Sequence, residues 1–104
     1  MPGINFNQVR SLISLAEVLE LLGFVPSFST GSQVRGPCPI HGSSSQRSRS
    51  FSANLQANAF QCFKCGATGN QLDLYAAVTG LPLFQAAVEL CERLHKDIPW
   101  IIHW

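Results

Sequence analysis

Two short turns in this 104-residue chain carry residues fit for metal chemistry, Cys38-Pro39-Ile40-His41 and Cys62-Phe63-Lys64-Cys65. Two ligands separated by two residues on a tight turn can aim thiolate or imidazole at one ion, and zinc takes four such ligands at tetrahedral corners. Twenty residues, positions 42–61, lie between the turns, which suffices for a pair of strands that runs out and returns. The spacing predicts a zinc ribbon with one structural Zn²⁺ held by Cys38, His41, Cys62 and Cys65. A lone C-x-x-C also serves as a redox pair, but that use expects a βαβ context, and the sequence upstream is Gly, Ser and Arg. A catalytic zinc keeps one position open for water or substrate, and four protein ligands close it.

Charge is distributed unevenly around these turns. No acidic residue falls between Glu20 and Asp73, whereas Arg35, Arg47, Arg49 and Lys64 all do. Three thiolates and one Zn²⁺ sum to about −1, so the segment keeps roughly +3. The acids Glu17, Glu20, Asp73, Glu89, Glu92 and Asp97 sit on the flanks, where solvated helix faces account for them. A basic segment in a chain of net charge +1 points to a polyanionic partner, although four cations also suit an ordinary solvated surface. Phosphate-binding glycine loops, a nucleophile with its base, and clustered catalytic carboxylates are all missing from the sequence, so no enzymatic activity is expected of it.

The composition is apolar for so small a chain, 46% hydrophobic against 12% charged, which leaves surface for a partner. One domain is expected, in the size range where a metal supplies folding energy. No apolar run reaches bilayer length and no signal segment opens the chain, so a cytoplasmic location without membrane partners is the expectation; a reducing interior also suits thiolates reserved for zinc.

The flanking elements follow from periodicity and punctuation. Val9, Leu12, Ile13, Leu15, Val18, Leu19 and Leu22 recur at three- and four-residue intervals. Ser14 interrupts them and forms a capping box with Glu17, predicting helices over 7–12 and 15–22, closed by Gly23. Residues 24–36 read as a loop that ends in a short strand at 33–35. Residues 42–50 read as a serine-rich loop, expected to be mobile without a partner and to have its arginines solvated. Strands are predicted over 51–55 and 59–63, joined by a turn at 56–58, with Phe51 and Phe60 buried. Gly66 and Gly69 supply the backbone angles for leaving a metal turn. Asn70 caps a helix over 71–78 with Asp73 at its third position, and Pro82 opens a fourth helix in its first turn. Leu83, Ala87, Leu90 and Leu94 are that helix's predicted apolar stripe, with Cys91 a buried thiol beside it. His95 and His103 lack partners at ligand spacing and read as surface residues. The tail, 97–104, is too apolar for a free end; it packs back on the domain or docks another chain. The predicted fold is α+β: a small antiparallel ribbon over about 33–66, flanked by helices over about 7–22 and 71–95.

These motifs together resemble the zinc-binding domain of bacterial and phage DnaG-type DNA primases, over nearly the whole chain. Gly36-Pro37-Cys38-Pro39-Ile40-His41 is similar to the family's first ligand turn, and Phe51-Ser52 to the strand that follows. Phe60-Gln61-Cys62-Phe63-Lys64-Cys65-Gly66, Gly69-Asn70 and Asp73-Leu74 are similar to its second turn and helix entry. The resemblance implies Cys38, His41, Cys62 and Cys65 as the zinc ligands. Two departures stand out. The loop after His41 is longer and serine-rich where the family has a Glu-Lys-Thr-Pro-like run, and the family's polymerising domain with its acidic metal cluster is not among these 104 residues, so primer synthesis is not expected of this chain alone.

The resemblance also implies a reader of single-stranded template, with strand surface and basic residues on DNA. Arg35, Arg47, Arg49 and Lys64 are the candidates for phosphate and Phe63 for base stacking, although Phe63 could equally pack beside the zinc. The leading expectation is a stand-alone module that binds single-stranded DNA without catalysis. A second is a zinc-shaped adaptor that docks a primase, helicase or transposase subunit through its apolar tail and Leu-rich helices. A third is the N-terminal piece of a full primase.

Overall fold

The computed structural model of the protein describes residues 3–40 and 50–101. Helix α1 (Phe6–Leu12) starts where the Asn5 side-chain oxygen accepts the Gln8 N–H at 3.1 Å. Helix α2 (Leu15–Leu21) starts at the predicted capping box: the Ser14 hydroxyl accepts from the Glu17 N–H and the Glu17 carboxylate accepts from the Ser14 N–H. Each cap satisfies amides that the first helical turn leaves without partners. Val9, Ile13, Leu15, Val18 and Leu19 point into the core.

A five-stranded antiparallel meander follows, β2 (Phe28–Thr30), β3 (Gln33–Gly36), β4 (Phe51–Asn54), β5 (Ala59–Cys62) and β6 (Thr68–Asn70), each pairing with the next. The short strand that precedes it in sequence, β1 (Gly3–Ile4), belongs elsewhere. Strand β2 corrects the loop expected over 24–36. All three of its residues are exposed, so no burial alternation marks it, and it is held by backbone pairing to β3 across a turn at Gly31, whose φ of 57° suits glycine.

Register sorts the sheet into two faces. Val34, Ala53 and Phe60 lie opposite one another, as do Gly36, Phe51 and Cys62, and all are buried. The Phe51 ring sits 5.3 Å from that of Phe24 and stacks on Phe60 at 5.7 Å. The alternate row crosses all five strands as Phe28, Arg35, Ser52, Gln61 and Thr68 and points the other way. Asn58, with a positive φ of 53°, ends the turn between β4 and β5, and its side-chain oxygen accepts the Leu15 N–H at 2.9 Å, which ties the ribbon to α2.

Helix α3 (Gln71–Thr79) is capped by Asn70, whose side chain accepts from Leu72 and Asp73 while Asp73 accepts the Asn70 N–H. Gly80, at φ 74°, ends it. In α4 (Leu83–Arg93) Pro82 is the cap residue rather than part of the first turn. The buried side is Ala86, Ala87, Leu90 and Cys91, so the predicted stripe is turned by about one position: Leu83 is 40% exposed and Leu94 half-buried. Cys91 is fully buried in the core, as expected. His95 is exposed.

The described part of the apolar tail, up to Ile101, pairs back on the domain. Strand β7 (Trp100–Ile101) pairs antiparallel with β1, Gly3 opposite Ile101 and Ile4 opposite Trp100, and the Asn5 N–H donates to the Pro99 carbonyl at 2.9 Å. Residues 102–104 lie outside the described residues, His103 among them. One continuous core links both helix pairs to the sheet.

Candidate functional site

The metal centre is built by the two places where the ribbon turns. Cys38 follows β3 and is 1% exposed; Cys62 ends β5 and is fully buried; Cys65 is exposed in the turn beyond. Their sulfur atoms all lie within 4.8 Å of one another. Tetrahedral Zn–S bonds of about 2.3 Å separate two sulfurs by nearly 4 Å, so the cluster suits a zinc ion at its centre. None of the three forms a disulfide. The second turn is shaped by the backbone: the Gly66 N–H donates to the Cys62 carbonyl at 2.9 Å, and Gly66 has the positive φ of 78° that the turn needs. The Cys65 N–H donates to the Cys62 Sγ at 3.5 Å, a contact that folds the turn around the sulfur. His41 lies outside the described residues.

Beside the sulfurs, the outer face of the sheet presents polar and aromatic groups. Phe63 is 61% exposed, so it does not pack into the interior beside the cluster. The Arg35 guanidinium carbon lies 5.2 Å from the centre of its ring, a cation held over an aromatic face. Lys64, next in the turn, is exposed. Phe28, 42% exposed, is the cross-strand partner of Arg35 on its other side. Sequence reading missed Phe28 because it assigned that stretch to a loop, and missed Gln61 because a lone glutamine carries no signal until register places it. Arg47 and Arg49 lie outside the described residues. Of the predicted nucleic-acid residues, the structure thus brings Arg35, Phe63 and Lys64 to one corner of the sheet, at the second ligand turn.

Elsewhere the ionisable groups serve packing. Burial, with a smaller contribution from Glu92, pushes the Cys91 thiol up, which makes it an inert core group. Burial and the hydrogen bond to Glu89 likewise raise the Tyr75 phenol; its hydroxyl donates to Glu89 at 2.6 Å and accepts from Arg93 at 3.1 Å, pinning α3 to α4. Leu83, Phe84, Trp100 and Ile101 are exposed, with the Phe84 and Trp100 rings 6.1 Å apart. No single helix among the described residues is long and apolar enough to cross a membrane.

Comparison with known proteins agrees with this geometry. The family model described as the CHC2 zinc finger, a DnaG zinc ribbon, matches residues 3–102. A DNA primase of Geobacillus stearothermophilus is 30% identical over 83 residues, 79% of this chain and 13% of that protein. One from Listeria monocytogenes is 27% identical over 99 residues, 94% of this chain and 15% of that protein. The chain therefore spans less than one sixth of the length of either relative. Among solved structures, the zinc-binding and RNA polymerase domains of Aquifex aeolicus primase superpose with a TM-score of 0.70 at 26% identity, over 88% of this chain and 21% of that one.

Proposed function

The chain belongs to the CHC2 zinc-finger family of DnaG-type primases, and from that premise we propose that it is a zinc-stabilised module that binds single-stranded DNA and has no catalysis of its own. Cys38, Cys62 and Cys65 supply three sulfur ligands to one structural Zn²⁺ and His41 the fourth. The ion ties the end of β3 to the end of β5 and so holds the outer sheet face rigid. Arg35 and Lys64, with Arg47 and Arg49 from the serine-rich loop, neutralise phosphates, and Phe63 stacks a base. The observation that carries the reading is the exposed Phe63 ring with the Arg35 guanidinium over it, next to the sulfur cluster. A stacking platform needs an open ring with a cation at hand, and this corner of the sheet supplies both. The chain works in the cytoplasm with the replication machinery.

Fluorescence anisotropy of a labelled single-stranded oligonucleotide with the zinc-loaded chain, over a series of salt concentrations and with duplex DNA as comparison, tests this. Salt-sensitive binding that favours the single strand supports it; no binding at low salt by zinc-loaded protein overturns it. In that event the exposed Phe84–Trp100 pair favours the second reading, an adaptor that docks a primase, helicase or transposase subunit.

A further inference from the structure

Five strands set the side chains of Phe28, Arg35, Ser52, Gln61 and Thr68 in one row across the outer face, and most polar groups near the centre of this face are already committed. The Ser52 hydroxyl, on a residue only 9% exposed, accepts from the Gln33 carboxamide at 2.9 Å. The Thr68 hydroxyl donates to the Phe60 carbonyl at 3.0 Å. The Asn54 side-chain oxygen accepts the Gln56 and Ala57 N–H groups and shapes the turn. Gln61 differs. It is exposed, and among the described residues its carboxamide has no hydrogen-bond partner, so a donor and an acceptor stand side by side facing solvent.

Its position relative to Phe63 gives that pair a use. The Phe63 N–H donates to the Ser50 carbonyl at 2.8 Å, which carries the β4–β5 ladder one step past Cys62, so Gln61 and Phe63 project from the same face. Two residues of strand separate them by roughly 7 Å, a distance that neighbouring bases of an extended single strand can match. We propose that Gln61 reads one adenine of a bound single strand through its N6 amino group and N7, while Phe63 stacks the adjacent base. This rests on the DNA-binding reading above and names the base beside the stacking platform. Approached from the Hoogsteen edge, adenine alone offers a donor next to an acceptor, complementary to a carboxamide, whereas guanine offers two acceptors there; the Watson–Crick edges of all four bases also offer a donor beside an acceptor in a single strand, and loss of N7 distinguishes the two approaches. Because Gln61 is exposed and water competes, discrimination falls at the weak end of the range for bidentate pairs, about fivefold.

The test uses anisotropy titrations of the zinc-loaded full chain with oligo-dT and with the same oligonucleotide carrying one internal dA, dG, dC or 7-deaza-dA. Tighter binding to the dA strand than to the dG and dC strands is expected, with the advantage abolished by 7-deaza-dA, which lacks N7. Gln61→Ala should erase the preference while leaving zinc content unchanged. Gln61→Arg should move it to dG, whose paired acceptors suit a guanidinium. Equal affinity for all strands in the unaltered protein, or a dA preference that survives Gln61→Ala, overturns the assignment of Gln61 and leaves DNA binding standing. Absence of salt-dependent binding to any strand overturns both.

Discussion

The Gln71 side-chain nitrogen lies 2.8 Å from the carbonyl oxygen of Ile13 and 2.9 Å from that of Arg10, donating to both from the first turn of α3. Gln71 is 1% exposed, and the two carbonyls belong to the end of α1 and the residue after it, where a helix leaves oxygens without intrahelical partners. One buried amide thus closes the first helix against the third. Gln71→Leu keeps the bulk and removes both bonds. It should cost about 2 kcal/mol, two bonds near 1 kcal/mol each with a buried carbonyl left wanting a donor. Urea denaturation followed by circular dichroism measures it, and a loss under about 0.5 kcal/mol would show that water replaces the amide.

Cys62→Ser should lose zinc and most tertiary structure of the ribbon together, because metal affinity in such a small site is folding energy. Cys91→Ala, a change at a fully buried thiol outside the sulfur cluster, should keep one zinc per chain and lower the melting temperature modestly. Atomic absorption and thermal melts on the two variants separate the roles. Chelator should melt the unaltered protein and leave the Cys62→Ser variant little changed.

Removing Arg35 and Lys64 together by alanine should weaken single-strand binding and flatten its dependence on log salt by about 1.4, two phosphate contacts at roughly 0.7 each. Phe63→Ala should weaken binding about fivefold, the low end for a stacked base, and leave the salt slope nearly unchanged. The contrast between slope and intercept distinguishes a lost cation from a lost ring.

Glu17 carries the clearest acid dependence. Its hydrogen bond from the Ser14 backbone, helped by the Ser14 hydroxyl and Lys96, holds its carboxyl below the ordinary value of 4.5 although partial burial opposes this. A carboxyl depressed in the folded state adds stability that is present above its unfolded pKa and lost as pH falls through the folded one. Melting temperature should therefore drop as pH falls below 4.5, and Glu17→Gln should show a smaller part of that drop. Ser14→Ala, which removes the cap, should cost about 1 kcal/mol at neutral pH.

Local chemistry was legible in the sequence. The three clustered cysteines, the Ser14–Glu17 and Asn70–Asp73 boxes, the buried Phe51 and Phe60 and the core Cys91 each announce themselves within a few residues or by a simple alternation. What escaped depends on distant neighbours. Strand β2 buries no side chain, so only its pairing with β3 reveals it. The turn of α4 toward Ala86 and Cys91 is set by the helix it meets, since the Leu83, Ala87, Leu90, Leu94 row and its neighbour are both apolar enough to be buried. Gln71 read as an ordinary first-turn residue, and its two acceptors lie 58 and 61 positions away. Phe28 and Gln61 gained meaning only from cross-strand register.

The pairing of Gly3 with Ile101 and Ile4 with Trp100 also fixes how the molecule would bear tension. Both strands of that pair point their outer ends the same way, so a pull applied through residues 3 and 101 loads the hydrogen bonds one after another, as in a zip, instead of shearing them in parallel. The clasp would part at low force and let out the few residues on either side, while the sheet, whose strands lie between the first and last helices in sequence, would still be folded. Any protein fused to both ends would find a compliant hinge first and a stiff, metal-tied body behind it.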